Sequence, residues 1–355
     1  MAGRKKKTAG RMPLWLYVLI VAVIALVTYF RTSGEAEAGD PQPPAVSAAA
    51  QQTPADETLT VRFLDVGQGD SILLIDGGPV EEGQFLVSRL NRLDVTELTY
   101  VVNTHPDEDH CGGLAAVLAK YPAEHVYSSV TEYTTKVFSN VVKYADAQGH
   151  SIEVPQTGDS WTLGSASVQV IGPVQTYSDP NNGSLVLRVD YGGTSFLFTG
   201  DMEQKAEEDL MAAGANVQAD VLKAGHHGSP TSSSEAFLEA VAPSIAVISV
   251  GEDNDYGHPS ADVLARLEAL GATIYRTDTQ GEIIITSDGQ TLTVTTDPTS
   301  REPAAGKDAP FIGNRNSMIV HSANCAKLPG EDNRVYFNTA EEAEEYGYQK
   351  HTCIK

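Results

Sequence analysis

Thr104-His105-Pro106-Asp107-Glu108-Asp109-His110, running on into Cys111-Gly112-Gly113, is the stretch on which the reading of this chain turns. An apolar β-type run, Leu98–Asn103, precedes it, and a helical pattern from Gly113 to Lys120 follows. The segment is therefore expected on a loop at the carboxyl end of a strand, where α/β proteins place their sites. Two imidazoles and two carboxylates within six residues suit a divalent metal, imidazole favouring zinc, manganese or iron and carboxylate adding charge compensation. Two later segments repeat the design of strand, glycine turn and ligand-type side chain: Phe198-Thr199-Gly200-Asp201, and Lys223-Ala224-Gly225-His226-His227-Gly228-Ser229. Either alone is weak, since Asp201 could equally cap the helix that follows it. Together they describe a metal site assembled from loops.

The surrounding sequence alternates β-rich runs with helical patterns. Strands are expected at 58–66, 71–76, 98–104, 165–172, 184–191, 194–200, 219–225, 244–250, 282–287 and 291–296. Helices are expected at 83–93, 113–120, 133–147, 203–213, 234–241 and 260–270. Early hairpins followed by mixed strands and helices predict a layered α/β protein over residues 58–297. Upstream, the basic cluster Arg4-Lys5-Lys6-Lys7 leads into an apolar run, Leu14–Phe30, and Glu35, Glu37 and Asp40 follow it. Such a run can span a bilayer, and the charge asymmetry puts the N-terminus inside and the rest outside. Residues 1–31 are thus read as a cytoplasmic tip and a single transmembrane signal anchor. The catalytic part is expected outside the cell membrane, or secreted if cleavage occurs at Ala36-Glu37-Ala38. Residues 32–57, rich in Ala, Pro, Gln, Glu and Thr, read as a flexible tether. Residues 298–310 read as a second linker before a small module, 311–355, whose size calls for a metal or disulfide.

Composition limits the functional classes. The 355 residues carry a net charge of −23. Between 58 and 297 there are 11 Lys and Arg against 34 Asp and Glu. A broad basic surface for nucleic acid is excluded, although metal ions can bind phosphate locally and invert the field. The three cysteines, Cys111, Cys325 and Cys353, exclude a disulfide-dense scaffold and leave at most one bridge, Cys325 to Cys353. Cys111 is expected to be a small buried residue, and Asp65 and Asp70 to order the first hairpin.

The order His-x-Asp-x-Asp-His, then Gly-Asp after a strand, then His-His-Gly-Ser resembles the metallo-β-lactamase superfamily. Phe63-Leu64-Asp65-Val66-Gly67-Gln68-Gly69-Asp70-Ser71, Asn181-Asn182-Gly183-Ser184-Leu185-Val186-Leu187 and Tyr256-Gly257-His258-Pro259 narrow the resemblance to the extracellular hydrolase domain of ComEC-type DNA-uptake proteins, over about residues 58–296. The resemblance implies an αββα sandwich with two divalent ions, zinc or manganese, at one edge of the sheets. It implies His105 and Asp107 on the first metal, Asp109, His110 and His226 on the second, and Asp201 between them. Asp109 and His226 would take part in catalysis. Ser184, Lys223, His227, Ser229 and His258 would touch the substrate. Asp107 stands where the zinc β-lactamases have a second histidine, and Asn182–Ser184 where they supply a further one. Both departures harden the first site toward oxygen ligands and toward manganese.

The C-terminal segment resembles the small Ada-like metal-binding modules, with His321, Cys325, His351 and Cys353 as ligands of one structural zinc. That family usually ends in a cysteine pair, where this chain has His351-Thr352-Cys353. The function expected is hydrolysis of a phosphodiester, with DNA or another nucleic acid as substrate only, by a metal-activated water. Hydrolysis of a small extracellular ester, lactone or β-lactam is the alternative within enzymes. A non-catalytic cell-surface binding protein is the alternative outside them.

Overall fold

The computed structural model describes residues 58–63, 74–252, 254–298, 307–314, 317–346 and 348–354. The anchor and tether (1–57), most of the first motif including Asp65 and Asp70, and residues 299–306 of the second linker lie outside the described residues. Among the described residues no helix is long and apolar enough to cross a membrane.

Sixteen strands are named in chain order: β1 (Leu59–Phe63), β2 (Leu98–Asn103), β3 (Ala123–Ser128), β4 (Ser160–Leu163), β5 (Ala166–Gly172), β6 (Val186–Tyr191), β7 (Thr194–Phe198), β8 (Val221–Lys223), β9 (Ile245–Ile248), β10 (Thr273–Arg276), β11 (Glu282–Ser287), β12 (Leu292–Asp297), β13 (Phe311–Asn314), β14 (Ile319–Ser322), β15 (Arg334–Phe337) and β16 (Gln349–Lys350). The helices are α1 (Gly83–Arg92), α2 (Glu108–Cys111), α3 (Leu114–Lys120), α4 (Lys136–Ala147), α5 (Gln204–Ala212), α6 (Glu235–Val241), α7 (Ala261–Ala269), α8 (Thr277–Gln280) and α9 (Ala340–Glu345). A seven-stranded sheet runs β10-β9-β8-β7-β6-β5-β4. Facing it are the antiparallel trio β1-β11-β12 and the parallel pair β2-β3, which Ile75 joins by a bridge to Val102.

Alternation along the strands builds the layers. In β2, Val102 enters the core between the sheets while its neighbour Val101 packs outward under the helices. In β7, Phe196 and Phe198 face inward and Leu197 faces the opposite layer. Successive side chains of a strand point to opposite faces, so a strand covered on both sides reads as a continuous apolar run. Leu86 and Leu90 of α1, Leu114, Val117 and Leu118 of α3, and Phe138 and Val141 of α4 cover β2 and β3. Ala206 and Leu210 of α5, Phe237, Leu238 and Val241 of α6, and Val263 and Leu267 of α7 cover the seven-stranded sheet. The result is helix, sheet, sheet, helix, a mixed α/β sandwich with three apolar interfaces.

The expected helices form, and several start on a side-chain cap. Thr135 accepts from the amide of Phe138, Ser234 from that of Phe237, and Ser260 from that of Val263, satisfying amides that a helix start leaves without a partner. β3, β4 and β10 were not foreseen. β4 and β10 are the short outer strands of the large sheet and carry no buried residue, so their apolar pattern is weak. In β3, Glu124 and His125 break the pattern.

The C-terminal module is a four-stranded sheet, β15-β13-β14-β16, with α9. Among the described residues its buried apolar cluster is Val320, Phe337, Ala343 and Tyr348, with Ile312 and Ala340 also buried, a small core for such a segment. It leans on α1, where the Arg92 guanidinium sits 3.8 Å from the centre of the Tyr346 ring. Cys111, Cys325 and Cys353 are all free, so the bridge left open by the sequence is not made.

At one end of the sandwich the β6–β7 turn meets the β11–β12 turn. Gly193 donates its amide to the Gly289 carbonyl at 2.6 Å, and the hydroxyls of Thr194 and Ser287 lie 2.7 Å apart. Gly192, at φ +59°, has no room for a side chain: a Cβ there would stand 2.4 Å from the Gly289 oxygen. Gly192→Ala should cost about 1–3 kcal/mol. Thermal denaturation should show a Tm lowered by roughly 2–4 °C per kcal/mol, with metal content unchanged. An unaltered Tm would show that the two turns do not bear on each other.

Candidate metal centre

Four loops leave the carboxyl ends of β2, β7, β8 and β9 and meet at one edge of the sandwich. The loop after β2 brings His105, Asp107, Asp109 and His110, and that after β7 brings Asp201. The loop after β8 brings His226 and His227, and β9 is followed by Ser249. Single ligand atoms of Asp109, His110, Asp201 and His227 lie within 4.8 Å of one another. His110 Nε2 is 3.1 Å from His227 Nε2, 3.2 Å from Asp201 Oδ1 and 4.0 Å from Asp109 Oδ2. His227 Nε2 is 3.4 Å from Asp201 Oδ2 and 3.5 Å from Asp109 Oδ2.

Each imidazole is oriented by what its other nitrogen touches. His110 Nδ1 donates to Asp76 Oδ2 at 2.8 Å. The same buried carboxylate accepts from the Thr104 hydroxyl at 2.7 Å and, through Oδ1, from the Thr104 amide at 2.7 Å. His227 Nδ1 donates to the Ser249 carbonyl at 2.8 Å. His105 Nδ1 faces the hydroxyls of Thr104 at 3.1 Å and Ser184 at 3.4 Å. With the Nδ1 protons so engaged, all three rings turn Nε2 toward the cleft, the atom through which each could bind a cation. Asp76 was missed in the sequence. It ends the apolar run 71–76 and precedes Gly77 and Gly78, whereas Asp201 follows its glycine, so the pattern that marked Asp201 does not mark it.

The structure brings His105, Asp107, Asp109, His110 and Asp201 to one edge, and of the two histidines that follow β8 it groups His227, rather than His226, with Asp109, His110 and Asp201. His227 is fully buried and enters the cluster, whereas His226 stands at the rim. The His226 Nε2 lies 3.8 Å from Asp201, and its Nδ1 turns to Glu203 at 3.4 Å and Thr231 at 3.3 Å. Both residues are left-handed, His226 at φ 48° and His227 at φ 53°. Two successive non-glycine residues in that region are uncommon and strained. They reverse the chain so that adjacent side chains diverge, one to the Ser249 carbonyl and one to the mouth.

The expected substrate contacts divide likewise. A 210 Å³ cleft over the cluster is lined by Asp107, Asp109, Asn181, Asp201, His226, His227, Tyr256 and His258. His258 is therefore at the cleft, with its Nδ1 free of any protein hydrogen bond and its ring stacked 5.8 Å from that of Tyr256. Ser184, Lys223 and Ser229 are buried beneath the cleft and do not line it. The Ser184 hydroxyl accepts from the Asp201 amide at 3.1 Å. Lys223 donates to the Gly200 carbonyl at 3.3 Å, its ammonium 3.9 Å from Asp201 Oδ1. These two hold Asp201 in place. Ser229 pairs with Thr231 at 2.9 Å. Gly200, at φ +51°, must be glycine, because a Cβ would sit 2.8 Å from Ser184.

Charge in the cluster is strongly coupled. Burial favours the neutral form of every member, and the mutual attractions overcome it. His110 is held well above the ordinary imidazole range against burial by Asp201 and Asp76. His227 is pushed up to about 9 against burial by Asp201 and Asp109. Asp109 and Asp201 are held below the usual carboxylate range, again against burial, by the two imidazoles. Burial, helped by His110, drives His105 well below its usual value. Burial, with Asp109 adding, raises Asp107.

A family model, that of the metallo-beta-lactamase superfamily, matches residues 63–252, more than half of the chain. The chain belongs to the metallo-β-lactamase superfamily. Among curated proteins it is similar to ComE operon protein 3 of Bacillus subtilis, 32% identical over 63% of this chain and 32% of that one. It is also similar to competence protein ComA of Neisseria gonorrhoeae, 36% identical over 67% of this chain and 33% of that one. The chain thus spans about a third of the length of the curated relatives it matches. A solved metal-dependent hydrolase of the β-lactamase superfamily is 12% identical over 67% of this chain and 100% of that one, with a TM-score of 0.43. That distance adds nothing to the assignment.

Membership implies a divalent cation, and the residues present fit one. A tetrahedral cation with bonds of about 2.05 Å needs donors about 3.3 Å apart, and the separations above bracket that length. Two carboxylates and two imidazoles drawn around one point hold their charge with protons that a cation can replace. His105 Nε2, fully buried with no hydrogen-bond partner, points toward Asp107 Oδ2 at 3.8 Å and is suited to a second ion.

A Cys/His metal site is also present in the C-terminal module. Ligand atoms of His321, Cys325, His351 and Cys353 lie within 4.8 Å of one another. The Cys325 sulfur is 3.4 Å from His321 Nδ1 and 3.7 Å from His351 Nδ1. Mixed sulfur and nitrogen ligands around a tetrahedral ion stand about 3.3–3.8 Å apart.

His227→Ala should weaken metal binding by more than about 100-fold, beyond the 10–100-fold typical of losing an outer hydrogen-bond partner. His226→Ala should leave the stoichiometry intact. Chelator competition with elemental analysis checks both, and loss of metal from the His226 variant alone would reverse the grouping described above.

Proposed function

We propose that this chain is an exported, membrane-anchored, metal-dependent phosphodiesterase that cleaves DNA or another nucleic acid. The observation that carries the reading is the donor set. Three carboxylates and three imidazoles, those of His105, Asp107, Asp109, His110, Asp201 and His227, surround one edge of the sheets. No serine or cysteine is among the described residues lining the cleft. Hydrolysis there depends on an activated water. The relatives' names support nucleic acid as the substrate class, since they are called competence protein ComA and recombination protein 2. The basic residues ahead of Leu14–Phe30 support an anchor with the hydrolase outside.

Two divalent ions are assigned to the centre, one on Asp109, His110 and His227, one on His105 and Asp107, with Asp201 shared. When bound, they supply Lewis acidity toward the phosphoryl oxygens and acidify a water to near-neutral pH. The oxygen-rich first site favours manganese over zinc there. The chain does the rest. Asp109, at the cleft, would orient the attacking water. Ser184 and Lys223 fix Asp201 from below. His258, at the mouth, is placed to contact the substrate beside the metals. Without cations the cleft is anionic and repels a phosphodiester, so substrate recruitment itself depends on metal. One further zinc is assigned to His321, Cys325, His351 and Cys353, where it offsets the small core of the C-terminal module.

The test is cleavage of labelled single- and double-stranded DNA by the full chain, stripped of metal and then given Mn²⁺, Zn²⁺ or Mg²⁺ at low salt, beside His105→Ala. Cutting restored by metal and lost in the variant is expected. No cutting with metal demonstrably bound would redirect the search to lactones and other small esters. Cys325→Ser should lower bound zinc by one per chain without abolishing cleavage. Unchanged zinc would remove the C-terminal site.

A further inference from the structure

Beside the metal cleft runs a second, larger depression of 470 Å³, within the roughly 300–1,000 Å³ range of small-molecule sites. The two share walls. Pro106 lines the groove and its neighbour Asp107 the cleft, while Pro180 and Gly183 line the groove and Asn181 the cleft. A molecule held at the metals and larger than the cleft can therefore extend into this groove. Its described lining contains no Lys, Arg or His, and its charged member is Asp179. It cannot be a second phosphate site, because a carboxylate without a cation repels one. It suits the uncharged portion of a substrate whose phosphate lies at the metals.

The chemistry of the walls narrows that portion. Tyr133 and Tyr177, both half-buried, line it, as do Gln156 and Gln175, whose amide nitrogens donate to the Val154 carbonyl at 3.1 Å and to Asp209 at 2.6 Å and which each keep a second N–H and an acceptor oxygen. Both rings are held. Tyr177 donates its hydroxyl to Asp209 at 2.9 Å, and Tyr133 packs edge-on against Phe138, centroids 6.4 Å apart. Fixed aromatic faces beside amides that can meet donor and acceptor edges are what an unstacked nucleobase requires.

Resting on the phosphodiester reading, we propose that this groove seats the nucleoside next to the scissile phosphate, with Tyr133 and Tyr177 as specificity-determining residues that select unpaired bases. Affinity then comes from stacking and from the metals, not from basic side chains, which accounts for hydrolysis of nucleic acid by so acidic a chain. A paired base is not free to enter, so single strands are the preferred substrate.

The experiment compares kcat and KM of the metal-loaded full chain on a short single-stranded oligonucleotide and on the same oligonucleotide made abasic. Stacking on one aromatic ring corresponds to roughly 5- to 150-fold in binding. Wild type should prefer the base-bearing strand by about that factor. Tyr133→Ala and Tyr177→Ala should each raise its KM and erase most of the preference, leaving the abasic strand unaffected. Tyr133→Phe, which keeps the ring, should retain it. Equal cleavage of both strands by wild type, or equal loss on both in the alanine variants, would overturn the proposal while leaving the phosphodiesterase standing. Cleavage of neither strand by wild type would remove the phosphodiester reading and this proposal with it.

Discussion

The 3.2 Å approach of His110 Nε2 to Asp201 Oδ1 joins the two halves of the sandwich at the site. His110 belongs to the loop after β2, in one sheet, and Asp201 to the loop after β7, in the other. Their meeting depends on the apolar layer between the sheets, in which Val102 and Phe198 both lie. Without that layer the donors would be scattered along separate loops, each an ordinary polar side chain. The metal centre is therefore a property of how two sheets stack, and its precision is inherited from a dry interior.

Around this contact the chain commits buried polar groups that would otherwise be costly. Asp76 is wholly buried, yet it accepts from His110 and from both the hydroxyl and the amide of Thr104. Lys223 is also buried, and it answers to the Gly200 carbonyl and to Asp201. Each is satisfied, so the desolvation cost is offset and the rings are held to one tautomer and one direction. The paired left-handed residues His226 and His227 add backbone strain at the place where the site needs a sharp reversal.

Two surfaces open from the centre with different chemistry. The cleft is acidic and rimmed by imidazole, and the groove beside it carries two tyrosines, two glutamines and a single carboxylate, Asp179, with no basic residue in its described lining. On the function proposed above, cations would recruit the charged part of a substrate to the first and leave its neutral part for the second, so that an acidic exterior would not conflict with a polyanionic substrate. The C-terminal module repeats the strategy on a smaller scale, where four ligand side chains compensate for a cluster of four buried apolar residues.

Much of this was legible in the residues themselves. Periodicity gave the helices, because α1, α4 and α7 bury one face and α4 and α7 begin at recognisable caps, and it gave the interior strands, because burial on both sides leaves uninterrupted apolar runs. Spacing gave His105, Asp107, Asp109 and His110, since one short loop carries them all. The outer strands β4 and β10 were not legible, because half-exposed strands carry little pattern. Asp76 escaped because its role is to touch another ligand, and no local spacing records that. Which of His226 and His227 turns inward was likewise beyond the sequence. The two are adjacent and chemically identical, and only the left-handed turn and the Ser249 carbonyl, brought alongside by the parallel strands β8 and β9, decide between them.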